Sequence, residues 1–151
     1  MKRMTHVGDN RPTIIYVVTV LIFYTSGVCF AIVYQEIKEF KTETGSELMT
    51  SQIEIVFFTV CGIAHVPIGL WVYRNRKNDA SPYLIAVTGS LVVVLLYIMY
   101  KTIAPSMNDP HEDFGVLNIL SRILQVSIII AASYGLYSII IWKKKTLESL
   151  R

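Results

Sequence analysis

Charge is scarce in this chain. Only 17% of its 151 residues are Asp, Glu, Lys or Arg, against about 25% in an ordinary soluble domain. What charge there is falls in short segments between four long apolar stretches that take up well over half the chain. That distribution excludes a soluble globular enzyme, a disordered tail and a nucleic-acid module with its basic patch on a folded surface. Cysteine is also sparse. Cys29 and Cys61 each lie inside an apolar stretch, and neither a CxxC spacing nor a Cys/His cluster occurs, which excludes metal ribbons and thiol redox motifs. The chain has 3 histidines, and they are far apart in sequence. Only His65 falls near the middle of an apolar stretch, which excludes a bis-histidine haem built by this chain alone, and the clustered histidines that a copper oxygenase centre requires are lacking.

What is present is hydrophobicity: 53% apolar residues and a mean hydropathy of +0.50. The stretches run over about 13–34, 53–73, 82–103 and 119–142. Each is near the roughly 20 residues a helix needs to cross about 30 Å of hydrocarbon. Backbone amides in lipid must be satisfied within their own segment, so hairpins and open sheets are not alternatives. The first stretch is longer than the core of a cleaved leader and lacks an A-x-A exit, so it reads as a retained anchor. The expected fold is all-α: an integral membrane four-helix bundle of up-down topology, spanning residues 13–142. A tail of residues 1–12 precedes it and a basic tail of residues 143–151 follows.

The charges orient the bundle. Ten Lys and Arg fall on one side: Lys2, Arg3, Arg11, Arg74, Arg76, Lys77, Lys143, Lys144, Lys145 and Arg151. Lys38, Lys41 and Lys101 fall on the other, with Glu36, Glu39, Glu43, Glu47, Asp109, Glu112 and Asp113. The positive-inside rule then puts both termini in the cytoplasm of a multi-pass cell-membrane protein. Tyr16, Trp71, Tyr73, Tyr83 and Trp142 at the inner boundary, and Tyr34, Tyr97 and Tyr100 at the outer one, read as interfacial belts. The first outer loop carries acids at helical spacing, so the first helix is expected to continue past the membrane until Gly45.

Ionisable groups inside a span are costly and are the default candidates for function. Here they are Glu54, His65 and Arg122. The second and fourth helices run in the same direction, so depth can be compared along them. With Glu54 and Arg122 matched at the outer boundary, His65 lies three turns deeper and meets Ser133, with Gln125 between. Two polar stripes result: Glu54, Cys61 and His65 on one helix, and Asn118, Arg122, Gln125 and Ser133 on the other. One reading pairs Glu54 with Arg122 as an outer clasp; the other sends each charge separately to headgroups. His65 is then expected beside Ser133, Thr88 or Thr19. As a structural residue it needs only a hydrogen bond. As a functional one, next to Pro67, which should kink its helix, it would relay a proton, bind a metal or face a partner's cofactor. The same depth count separates Cys29 from Cys61 by several ångströms and argues against a disulfide, which needs Cα atoms within about 7 Å.

On the outer side, Asn108–Asp113 holds metal-ligand types around His111, but a helix start capped by Asp109 accounts for the pattern. Ala86 with Ser90, and Ser127, Ala131, Tyr134 and Ser138, form small-residue faces suited to close helix contacts within the chain or with another subunit.

The run Pro82-Tyr83-Leu84-Ile85-Ala86, then Gly89-Ser90, Leu96-Tyr97-Ile98, the acidic loop and Gly115–Arg122 with Gln125 resembles small four-span membrane proteins of ammonia-oxidising archaea. The likeness covers roughly Thr59 to Tyr137. It implies an archaeal membrane and an accessory chain of the ammonia monooxygenase or of a respiratory complex, and no catalytic residue is carried across. The expectation is a non-catalytic membrane subunit without a cofactor, lying in lipid and docking against other membrane subunits, with no nucleic-acid partner. The alternative is a small transporter or a proton-coupled redox or metal-binding component that uses His65.

Overall fold

The computed structural model describes residues 11–39, 46–75, 79–103 and 116–149. They form four helices: α1 (Arg11–Glu39), α2 (Ser46–Arg74), α3 (Ser81–Ile103) and α4 (Val116–Ser149). No strand occurs among the described residues. All four helices are long and apolar enough to cross a membrane, as the hydropathy pattern requires. Each outlasts its apolar stretch: α1 continues to Glu39, α2 begins at Ser46, and α4 runs on through the lysines to Ser149. Backbone hydrogen bonds continue wherever water or headgroups accept the side chains, so helix length and hydrophobic length differ. The α2 helix passes through Pro67 without a break. Gly45 and the segment Asn108–Asp113, with His111, lie outside the described residues.

In lipid, burying apolar surface gives helices little reason to associate, so close fit and polar contacts decide the packing. The tightest seam joins α1 to α2. Gly62 and Gly69 are two turns apart on one face of α2. A Cβ on Gly62 would stand 3.1 Å from the Phe30 ring, and one on Gly69 would stand 3.1 Å from Ile22. The hydroxyl of Ser26 donates to the Gly62 carbonyl at 2.8 Å, a side chain of α1 bonded to the backbone of α2. A Cβ at either glycine would force its neighbour to give by a few tenths of an ångström. α4 packs on α1 and α3, with Gly135 pressed against Tyr83 and Ile14.

Two buried layers result. One gathers Val18 and Ile22 of α1, Val72 of α2, Tyr83 and Ala86 of α3, and Ile128, Ala132 and Ile139 of α4. The other holds Val28, Cys29 and Ile32 of α1, Phe58 and Cys61 of α2, and Leu124 of α4. α3 gives the second layer no fully buried residue and reaches it only through half-buried Val93. Its link to α2 is firm at the turn, where Asn75 and Asp79 exchange two hydrogen bonds of 2.6 and 3.0 Å. The Asp79 carboxylate also accepts from the amide and hydroxyl of Ser81, tying down the start of α3. Beyond the turn, α2 and α3 touch sparsely.

Placing Cys29 and Cys61 in one layer corrects the expectation that they lie at different depths. That expectation counted depth from hydropathic boundaries, whereas the register follows the glycine seam and the longer α1. Both thiols are free and buried.

Candidate functional site

The polar centre of the bundle is His65. It is 6% exposed, one turn beyond Cys61 on the α2 face turned inward. Its Nδ1 lies 2.6 Å from the Cys61 carbonyl oxygen. A carbonyl only accepts, so Nδ1 carries the proton and the Nε2 of a neutral ring presents a lone pair. That lone pair faces the amide nitrogen of Gln125 on α4 at 3.3 Å. Gln125, 2% exposed, donates across the centre of the bundle, where the α2 and α4 backbones come nowhere within 8 Å, Cα to Cα, among the described residues. Its other amide atom, Oε1, is buried without a hydrogen-bond partner, as are Oδ1 of Asn118 and Oγ1 of Thr19.

The two sequence stripes therefore do meet, but in a different register. His65 takes Gln125, not Ser133, which is exposed. Thr88 is turned outward and bonds its own helix at Leu84, and the Thr19 hydroxyl has no partner. The contacts of Gly69 with Ile22 and of Gly135 with Ile14 give a matching register between α2 and α4. By the His65–Gln125 contact itself, Arg122 stands about eight residues along from the level of Glu54, roughly 12 Å at 1.5 Å each. Ser133 is expected at His65 when Glu54 and Arg122 are set at a common level, and the contact observed is with Gln125. The guanidinium of Arg122 sits over the ring of Tyr97 on the neighbouring α3. This cation–π contact is worth about 0.5–2 kcal/mol, more where water is excluded.

A cavity of about 270 Å³ opens beside His65, between α2 and α3. Ile22 and Ile128 form its floor, and Ala86, Gly89 and Ser90 form the α3 wall. Ala86 and Ser90 thus face inward, and the small-residue pair on α3 is not an outer docking face. On α4, Ser127, Ala131 and Ser138 are half-buried and only Tyr134 of that group is exposed. Among the described residues, an uncovered small pair at the same four-residue spacing is Gly27 and Ala31 on α1, with Tyr24 about one turn earlier. The signal was the four-residue interval, and which face it occupied was not legible without the α1–α2 seam.

Among the described residues, no group of three or more His, Cys, Asp or Glu side chains is placed to share a metal ion. The chain matches no protein-family model, no curated protein and no solved structure.

Proposed function

We propose that this chain is a non-catalytic integral membrane subunit, an up-down bundle with both termini in the cytoplasm, whose α1 outer face docks against a helix of a partner subunit. One observation carries the reading. Tyr24 lies at the middle of the α1 span, Pro12–Lys38, yet is 56% exposed. Tyrosine belongs at membrane interfaces, where its hydroxyl meets water. Here the side chain stands exposed halfway along the span, on the same face as Gly27, where a Cβ would meet nothing within 4 Å. A small-xxx-small pair admits a second helix at close range, and an acceptor on that helix satisfies the phenol. The charge asymmetry and the assembly of each core layer from alternating helix ends support the topology. His65 has both ring nitrogens engaged within the chain, which favours a structural role over a transport or redox one. The archaeal ammonia monooxygenase or a respiratory complex, as the host assembly, is supported by the residue pattern of Thr59–Tyr137 alone.

Cysteine cross-linking in source membranes tests the docking. Gly27→Cys, with Cys29 and Cys61 replaced by Ala, is expected to yield a cross-linked heterologous species, and Gly27→Leu is expected to abolish co-migration on a native gel. A chain that migrates only as an isolated monomer in both cases would overturn it. Impermeant labelling should place Glu43 and Lys143 on opposite sides; finding them on one side defeats the topology.

A further inference from the structure

The α2–α3 groove differs from the rest of the lipid-facing surface in three respects. First, it is narrow. It extends from Phe57 to Ile68 on α2 and from Ala86 to Leu96 on α3, about 16 Å at 1.5 Å per residue. A volume of about 270 Å³ is less than twice the roughly 150 Å³ of a cavity that holds one benzene, whereas a helix roughly 10 Å across would need on the order of 1,000 Å³ over that length. A transmembrane helix does not fit; a single hydrocarbon chain or a flat ring seen edge-on does.

Second, the wall is hollowed at Gly89. A Cβ there would meet nothing within 4 Å, so no neighbour within the chain requires glycine at this position.

Third, a buried donor faces the groove. Ser90 is 3% exposed and lines the cavity, yet its hydroxyl has no hydrogen-bond partner among the described residues. The hydroxyls of Thr25, Thr88 and Ser127 all donate to the carbonyl one turn back on their own helices. Ser90 is the middle residue of the span Ser81–Met99. An acceptor that meets it must therefore lie at the bilayer centre, about 15 Å from the interfaces where the ester carbonyls of bilayer lipids reside. His65 also lines the cavity, but Gln125 already occupies its lone pair.

We propose that the groove binds one membrane-dissolved molecule: a narrow, apolar chain or flat ring whose carbonyl, of ketone or quinone type, accepts the hydrogen bond of Ser90. The remaining contacts are apolar, from Phe57, Val60, Ile68, Val93 and Leu96, so the hydroxyl sets orientation while the cavity sets width. The proposal rests on the chain spanning a bilayer and not on its having partner subunits.

The test uses the full chain purified in detergent micelles, with bound species counted by native mass spectrometry. The probes are a decyl-substituted benzoquinone, decylbenzene as its carbonyl-free counterpart, and a dipalmitoyl phosphatidylcholine for the ester class. Wild type is expected to retain one quinone in preference to either other probe. Ser90→Ala should weaken quinone retention about three- to tenfold, the value of one hydrogen bond, and leave decylbenzene unchanged. Gly89→Leu should abolish retention of both with no loss of helicity, since its side chain enters open space. Gly27→Leu, on the outer α1 face, should change neither. Equal retention of quinone and decylbenzene, insensitive to Ser90→Ala, would overturn the proposal, as would preferred retention of the phosphatidylcholine. Cross-linking of Gly89→Cys to a second copy would overturn it too. A failed partner cross-link at Gly27 would leave these micelle results standing, so the two readings fail separately.

Discussion

Comparing Gly135→Ala with Gly27→Ala isolates the packing that holds α4 in place. A Cβ on Gly135 would stand 2.7 and 2.9 Å from two ring carbons of Tyr83 and 3.1 Å from Ile14. Non-bonded carbons rest at about 3.5–4.0 Å, so the new methyl intrudes by most of an ångström. Tyr83 is almost fully buried and cannot swing aside into open space. Overpacking of this kind costs about 1–3 kcal/mol. Against it, replacing glycine by alanine inside a helix gains about 1 kcal/mol through backbone entropy. Gly27 sits in the same kind of helix with nothing near it, so its substitution shares that gain without the clash. The propensity term cancels in the difference, and Gly135→Ala should be less stable than Gly27→Ala by about 1–3 kcal/mol. Dodecyl sulfate titration of the purified chain, followed by far-UV circular dichroism, measures this. Agreement of the two variants within about 0.5 kcal/mol, the scatter expected of independent sites, would refute the close seat of Tyr83 on Gly135. Adding Tyr83→Leu should recover stability in the Gly135→Ala background and lower it in the Gly27→Ala background.

Three further outcomes follow from the same contacts. Ser26→Ala removes the hydroxyl bond to the Gly62 backbone and should cost about 0.6 kcal/mol and at most about 1.7, the range measured between membrane helices; a larger loss on the same titration would mean that the seam depends on more than that bond. His65→Leu should destabilise more than Gln125→Leu, because it strands the whole buried amide, at about 1–3 kcal/mol. Gln125→Leu strands one ring nitrogen but removes the unpartnered Oε1, and the reverse order of stabilities would disprove the pairing. Asp79→Ala should cost about 0.5–2 kcal/mol, as loss of a helix-start acceptor does, and raise proteolysis at the α2–α3 turn; an unchanged cleavage rate would remove Asp79 from that role.

The four helices and their approximate extents were legible because lipid leaves a chain no other way to satisfy its amides: runs as long and apolar as 13–34 or 82–103 admit one conformation. Charge placement gives an expected orientation, since moving Lys or Arg across hydrocarbon is costly, and that orientation belongs to the proposal that impermeant labelling tests. His65 stood out as a polar residue where polarity is expensive, with Gln125 on the facing stripe, but the expected partners were Ser133, Thr88 or Thr19 and the one that meets it is Gln125. The register was not legible. Depth was counted from where hydrophobicity ends, but the helices slide until glycine meets ring and hydroxyl meets carbonyl, at Gly62, Gly69 and Gly135. Only the folded bundle therefore decided that His65 meets Gln125 and not Ser133, that the two cysteines share a layer, and that Ala86 and Ser90 face a groove while Gly27 faces out. The physical reason is that hydrophobic length is a property of each segment by itself, whereas register and facing are properties of pairs, set by sub-ångström fit between surfaces of nearly equal hydrophobicity.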